Sequence, residues 1–260
     1  MCIRDSLFRQ CLRRPGRGYR RHSGPERTGS RHSGPRTGRG TLRTAARFSR
    51  DARAGTAATD GARGGLAALP GLGPGTAARV PADARQVVLV TGEGKDSSRS
   101  QVELYRKTAT GWQGGAVWPA HNALKGWTAD HHLGDLRSPV GVFTLSDAGG
   151  LLPDPGTKLP YTHSGGFTVG GTGFEGESLA GSFDYVVAID YNRVTGRSPL
   201  DWSRPQGADK GGGVWLHVDH GGPTHACVSL SEAHMKQLLR ALDPALHPVI
   251  VMGDAASLAR

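Results

Sequence analysis

Cysteine is scarce: Cys2, Cys11 and Cys227 are the three in 260 residues, too few and too odd a number for a disulfide framework. No apolar run approaches the ~20 residues that a membrane-spanning helix needs, so no transmembrane segment is expected. Acidic residues are nearly missing from the first fifty positions, where Asp5 and Glu26 stand against fourteen Arg and no Lys, a net +12. The formal charge of the whole chain is +10 and the pI about 10.1, a balance that by itself suggests nucleic acid, an acidic polymer or a membrane surface. The other 210 residues carry eighteen basic and twenty acidic side chains, a net −2. The basicity belongs to a tail and not to a fold, and the body gives no reason to expect nucleic acid. What is abundant is Gly, at 40 residues, with 16 Pro. That composition argues against a helical bundle and for many short strands joined by turns around one core.

Residues 1–50 are dominated by Arg, Gly, Ser, His and Pro and include a near-repeat, Arg21-His22-Ser23-Gly24-Pro25 and Arg31-His32-Ser33-Gly34-Pro35. There is almost nothing apolar to offset the entropy of ordering such a segment, so it is expected to be a disordered basic tail. Met1-Cys2-Ile3-Arg4-Asp5-Ser6 resembles a translated sequencing-library adapter, and Arg-rich low complexity is what out-of-frame GC-rich DNA encodes. A disordered or non-native extension is therefore preferred to a nucleic-acid-binding arm. No apolar stretch of the kind found in secretory signals occurs here. Residues 51–85, rich in Ala, Gly and Pro, read as a linker.

Ordered sequence is expected from residue 86 to 254. Gln86-Val87-Val88-Leu89-Val90-Thr91 is an apolar strand, and Gln101-Val102-Glu103-Leu104-Tyr105-Arg106 alternates as a half-buried partner in a hairpin. Further strands are expected around Trp112 to Trp118, at Gly141 to Leu145, Tyr185 to Tyr191, Gly213 to Val218 and Val249 to Met252. The Gly-rich stretch from Gly149 to Gly181 reads as long loops. One helix is predicted, capped by Ser231, with Met235, Leu238, Leu239 and Leu242 at i, i+3, i+4, i+7 and Pro244 as its stop.

Reactive groups concentrate in His217-Val218-Asp219-His220-Gly221-Gly222-Pro223-Thr224-His225-Ala226-Cys227-Val228-Ser229. Alternation along the strand points Trp215, His217 and Asp219 one way, and a Gly-Gly-Pro loop can return Cys227 beside His217. Cys227 also precedes the helix cap, where N–H donors favour a thiolate. A thiol beside an imidazole base suits nucleophilic catalysis. The alternative of a small buried hydrophobe sits poorly with this polar, Gly-rich neighbourhood. A second alternative is a zinc module using His217, His220, His225 and Cys227, whose spacing matches no common zinc pattern. His220 and His225 can also be loop histidines that orient or hydrogen-bond.

His217 at a strand end followed by Thr224-His225-Ala226-Cys227-Val228-Ser229-Leu230 resembles the motif of the L,D-transpeptidase catalytic domain (YkuD type), in its short-loop subgroup. Gly134-Asp135, Ser138-Pro139-Val140-Gly141-Val142-Phe143, Leu159-Pro160-Tyr161, Tyr191-Asn192 and Leu242-Asp243-Pro244 extend the resemblance in order across residues 86–254. It implies a mainly β, sandwich-like domain with one late helix and no cofactor or metal. It also implies cysteine-dependent acyl transfer on peptidoglycan stem peptides, and hence a location outside the cytoplasm. Cys227 would be the nucleophile and His217 the general base and acid, with N–H groups around Ala226 and Cys227 as the oxyanion site. Thr224, His220, His225, Ser229 and Asp219 would support them; what holds His217 is open between Asp219 and a backbone carbonyl. Water as acceptor would instead make the same site a carboxypeptidase or amidase. Two substitutions depart from the family pattern, Ala226 for Gly and Ser138 for Thr; Ser229 stands where the family outside this subgroup has Arg, as in the short-loop subgroup. If residue 226 needs a positive φ, Ala there is strained; without that Arg, a substrate carboxylate must be recognised elsewhere.

Overall fold

The computed structural model describes residues 65–260. The expected tail, residues 1–50, and residues 51–64 of the expected linker lie outside the described residues. Along the chain come α1 (Pro74–Ala77), β1 (Gln86–Gly92), β2 (Arg99–Thr108), β3 (Gly111–His121), β4 (Trp127–Thr128), β5 (Ser138–Pro139), β6 (Gly141–Thr144), β7 (Ala148–Gly150) and β8 (Tyr161–His163). They are followed by β9 (Val186–Ala188), β10 (Trp215–Val218), β11 (Val228–Leu230), α2 (Glu232–Ala241), β12 (Val249–Asp254) and α3 (Ala255–Leu258). The fold is mainly β with one helix of length late in the chain, as the Gly and Pro content and the single apolar stripe predict. β1 and β2 form the expected antiparallel hairpin, with Val88 opposite Leu104.

Ten strands join in one curled sheet in the order β6-β12-β1-β2-β3-β11-β10-β9-β7-β8, and β4 pairs with β5 separately. Because side chains alternate, each central strand contributes to two cores. Val88, Val90, Val187, Leu216, Val228, Ile250 and Met252 face the interior of the curl, while Val87, Leu89, Val249 and Val251 face outward beneath Leu69, Ala84 and Leu258. Trp215, Val186, Ala188 and Cys227 lie on the same outward side at the other end, beneath Phe167, Leu179 and Phe183. Burial on both faces explains why β1 and β12 are near-continuous apolar runs. Residues 65–85, read as linker, thus carry side chains of an outer core.

Two sequence expectations are corrected in extent. The strand read from Tyr185 to Tyr191 is only Val186–Ala188, because Asp190 is held by Thr144 and Arg193 and the Tyr191 hydroxyl reaches Lys210 O at 2.9 Å. The stretch read as loops from Gly149 to Gly181 includes the β7 terminus and β8, paired in parallel from Ala148↔Tyr161 to Gly150↔His163. Such three-residue strands have no period to read; only partners define them.

The helix fills the curl. The Ser231 side chain accepts the His234 N–H at 3.3 Å, and Met235, Leu238, Leu239 and Leu242 are fully buried in the interior core. Ser231→Ala is expected to lower stability by about 1 kcal/mol. Leu238→Ala should cost about 2–5 kcal/mol, both read from urea unfolding midpoints.

Candidate active site

β10 and β11 run parallel and adjacent, with Leu216 opposite Val228 and His217 opposite Ser229. The chain must therefore leave the end of β10 and come back beside its start, and residues 219–227 make that return. Thr224 fixes it: its N–H donates to Asn122 O at 3.0 Å and its carbonyl accepts the Leu124 N–H at 2.9 Å. Since Val228 faces the interior with Leu216, Cys227 points outward, on the face of Trp215 and His217. Phe183 touches both, at 5.0 Å from the Trp215 ring and 5.4 Å from the His217 ring.

The surroundings of Cys227 correct two expectations. Its side chain is fully buried among Phe167, Leu179, Phe183, Val186, Ala188 and Trp215, so the polar look of the local sequence does not carry into space. The apolar lining comes from residues remote in sequence. Strand β11 separates Cys227 from α2, and the donor that meets Sγ is the Trp215 N–H at 3.3 Å rather than a helix N-terminus. Gly213 O lies 3.7 Å from Sγ, and the Gly207 to Gly211 turn leading to it is held by the Asn192 side-chain amide. The Cys227 carbonyl accepts hydroxyl hydrogen bonds from Thr224 at 2.6 Å and Ser138 at 3.3 Å.

His217 is 1% exposed, and its Nδ1 lies 2.8 Å from Val218 O. A carbonyl only accepts, so Nδ1 carries the proton and Nε2 the lone pair, the form a base needs. Burial, helped by the neighbouring His220, pushes the His217 pKa down to about 4 against the opposing pull of the Val218 carbonyl. The backbone carbonyl, not Asp219, holds the ring.

Asp219 serves a different group. Its Oδ1 accepts from Ser229 Oγ at 2.7 Å and sits 2.9 Å from His121 Nδ1. Burial opposes ionisation of Asp219, but the His121 and Ser229 hydrogen bonds prevail and hold its pKa at about 2. The Asp219 hydrogen bond in turn raises His121. His121 was not among the candidates; it lies 96 residues before His217 in the chain, and only the pairing of β11 with β3, Ser229↔His121, brings it here.

His220 stacks on His217, ring centroids 5.8 Å apart and planes within 11°. Its Nδ1 lies 3.0 Å from Glu177 Oε1, and its side chain is 1% exposed. Glu177, also unforeseen, belongs to a small hairpin within the Gly-rich stretch, where Thr172 bridges Ser178. Phe174 at that hairpin's tip lies against His225, centroids 4.7 Å apart. Burial lowers the His225 pKa, and its Nδ1 has no partner among the described residues.

The chain matches the family model of the L,D-transpeptidase catalytic domain over residues 93–251, more than half its length. It belongs to that family. No curated protein matches it. Among solved structures, Bd1075 of Bdellovibrio bacteriovorus is 16% identical with a TM-score of 0.38, covering 66% of this chain and 48% of that one. The helical cell shape determining protein Pgp2 of Campylobacter jejuni is 15% identical with a TM-score of 0.37, covering 65% and 48%. This chain thus spans about half the length of those proteins. Membership supports L,D-transpeptidase-type activity at the level of the family.

Two departures from the family pattern have physical explanations in this L,D-transpeptidase domain. The non-glycine residues with positive φ among those described are Leu136, Asn192 and His247, so Ala226 sits in ordinary backbone and its methyl is buried in the interior core. Ser138 keeps the hydroxyl that reaches Cys227 O and also accepts the Ala123 N–H at 3.1 Å. Among the described residues no group of three or more His, Cys, Asp or Glu is placed to hold a metal ion, and no helix is long and apolar enough to cross a membrane.

Two measurements test this description. Ala226→Gly should destabilise the protein by about 0.4–1 kcal/mol through the unfolded chain's added freedom, seen in thermal melts. His217, with its folded pKa far below the ordinary 6.5, should show an imidazole resonance unmoved between pH 7 and 5. Between those two pKa values the unfolded chain binds a proton that the folded one does not. Stability is therefore expected to fall as pH drops from about 6.5 toward 4. A His217 resonance moving with a midpoint near 6.5 would refute the buried, neutral assignment.

Proposed function

We propose that this domain is a cysteine acyltransferase acting on peptidoglycan stem peptides outside the cytoplasm, with reduced Cys227 as nucleophile and His217 as general base and acid. The observation that carries this reading is the β10–β11 register, which sets Cys227 and His217 on one face of the sheet. A neutral imidazole with its Nδ1 proton anchored on a carbonyl supports the role of base.

In the first half-reaction the thiol proton passes to His217 Nε2, and sulfur attacks the carbonyl carbon at an L-configured centre. The C–N bond to the terminal D-amino acid breaks, and the leaving amine takes the proton from His217. A thioester remains. Peptide N–H groups around Ala226 and Cys227 stabilise the oxyanion, and the hydroxyls of Thr224 and Ser138 fix the Cys227 carbonyl so that this backbone does not swing. An amine from a second stem or a protein then resolves the thioester as a cross-link or attachment. The apolar wall of Phe167, Phe183 and Trp215 supports transfer over hydrolysis, because it leaves little room for water beside the sulfur.

The test is mass spectrometry of reduced protein with a stem tetrapeptide or a carbapenem-type acylating agent, followed by an amine acceptor. Wild type should gain an adduct on Cys227 and then yield amide product. Cys227→Ala should abolish both with the fold intact, and His217→Ala should slow acylation by about 100-fold or more. His225→Ala should be milder; a larger loss there than at His217 would overturn the base assignment. Truncated donor with no amide product would make the enzyme a carboxypeptidase instead.

A further inference from the structure

His220 is more elaborately held than a loop histidine requires. Its Nδ1 faces Glu177 Oε1 at 3.0 Å, and the other oxygen of that carboxylate accepts the Glu175 N–H at 2.8 Å. The Glu177 carbonyl accepts the Gly173 N–H at 2.8 Å, so the hairpin itself orients the carboxylate. Gly222 makes room for it: a Cβ there would stand 2.3 Å from Glu177 Oε1. With Nδ1–H directed to a carboxylate, the Nε2 lone pair of His220 is left over, and this atom is buried with no partner among the described residues. An unmet buried acceptor is costly, and a bound ligand's N–H would remove that cost. The ring lies parallel to His217 and next to it.

We propose that His220, oriented by Glu177, is the general base that takes the proton from the acceptor amine when it resolves the acyl-enzyme. The inference rests on Cys227 being the acylated residue. The division of labour follows from the partners of the two rings. His217 has only a carbonyl behind it and is pushed toward its neutral form, which suits a base that must quickly return a thiol proton to a leaving amine. His220 has a carboxylate behind it, which stabilises the imidazolium formed on taking a proton. In resolution the acceptor nitrogen bonds to the thioester carbon while one of its protons goes to His220 Nε2. The C–S bond breaks, and its electron pair leaves on Cys227 sulfur. A thiolate and an imidazolium remain, equal in charge and protons to a thiol and a neutral ring.

The experiment separates the two half-reactions in the reduced full chain of wild type, His220→Gln and Glu177→Gln. Acylation is followed as the Cys227 adduct, and resolution as amide formation with a primary alkyl amine or with hydroxylamine. Hydroxylamine is weakly basic and already deprotonated at neutral pH, so it needs a base far less. The expectation for His220→Gln is acylation within about 3-fold of wild type and transfer to the alkyl amine slowed about 100-fold or more, with most of the loss recovered by hydroxylamine. Glu177→Gln should follow the same pattern with a smaller loss, about 10-fold. A purely structural role would slow both half-reactions and both acceptors alike, and that result would overturn the inference. So would transfer to the alkyl amine within 3-fold of wild type in both variants. A wild-type protein that forms no adduct on Cys227 would instead bring down the nucleophile assignment, and this inference with it.

Discussion

The pairing of β10 with β11 is the constraint on which the site depends. Two parallel strands adjacent in the sheet and joined by nine residues leave one register in which Leu216 and Val228 both enter the interior core. A slip of one residue would drive Cys227 into that core and Val228 out of it. The apolar pair thus selects the face on which the reactive pair stands. The same strands carry the consequence further: Ser229, opposite His217, meets Asp219, and through it His121 on the next strand.

Burial then sorts the charges. His217, His220 and Cys227 sit where an ion is costly, and each has a different answer to that cost. His217 has a carbonyl and stays neutral; His220 has the Glu177 carboxylate; Cys227 has the Trp215 N–H. Asp219, partly exposed to solvent on the rim, keeps its charge because His121 and Ser229 both donate to it. A neutral base deep in the site and an ionised pair at its edge follow from solvent access more than from residue type.

The hairpin at residues 171–179 shows how a stretch with no periodic pattern acquires a role. Its sequence, Gly171-Thr172-Gly173-Phe174-Glu175-Gly176-Glu177-Ser178-Leu179, offers neither strand alternation nor a helical stripe. Leu179 anchors it in the outer core, and Phe174 and Glu177 reach His225 and His220 from its tip. Loops placed by such anchors carry function because the anchor, not the loop's own bonds, sets their position.

The long strands, the Ser231-capped helix and the reactivity concentrated between His217 and Ser229 were legible in the sequence, because alternation, helical periodicity and local clustering are properties of neighbouring residues. The chain alone also located its charge: fifty residues hold the excess, and the remainder is close to neutral. Which groups stand behind each imidazole was not legible. Glu177 lies 43 residues before His220 and His121 lies 98 before Asp219, and no local pattern encodes either pairing. The apolar burial of Cys227 was misread for the same reason, since Phe167, Phe183 and Val186 reach it from another strand and loop. Sequence determined which chemistry was present; tertiary structure decided which atom faced which, because hydrogen bonds and desolvation depend on separation in space and not along the chain.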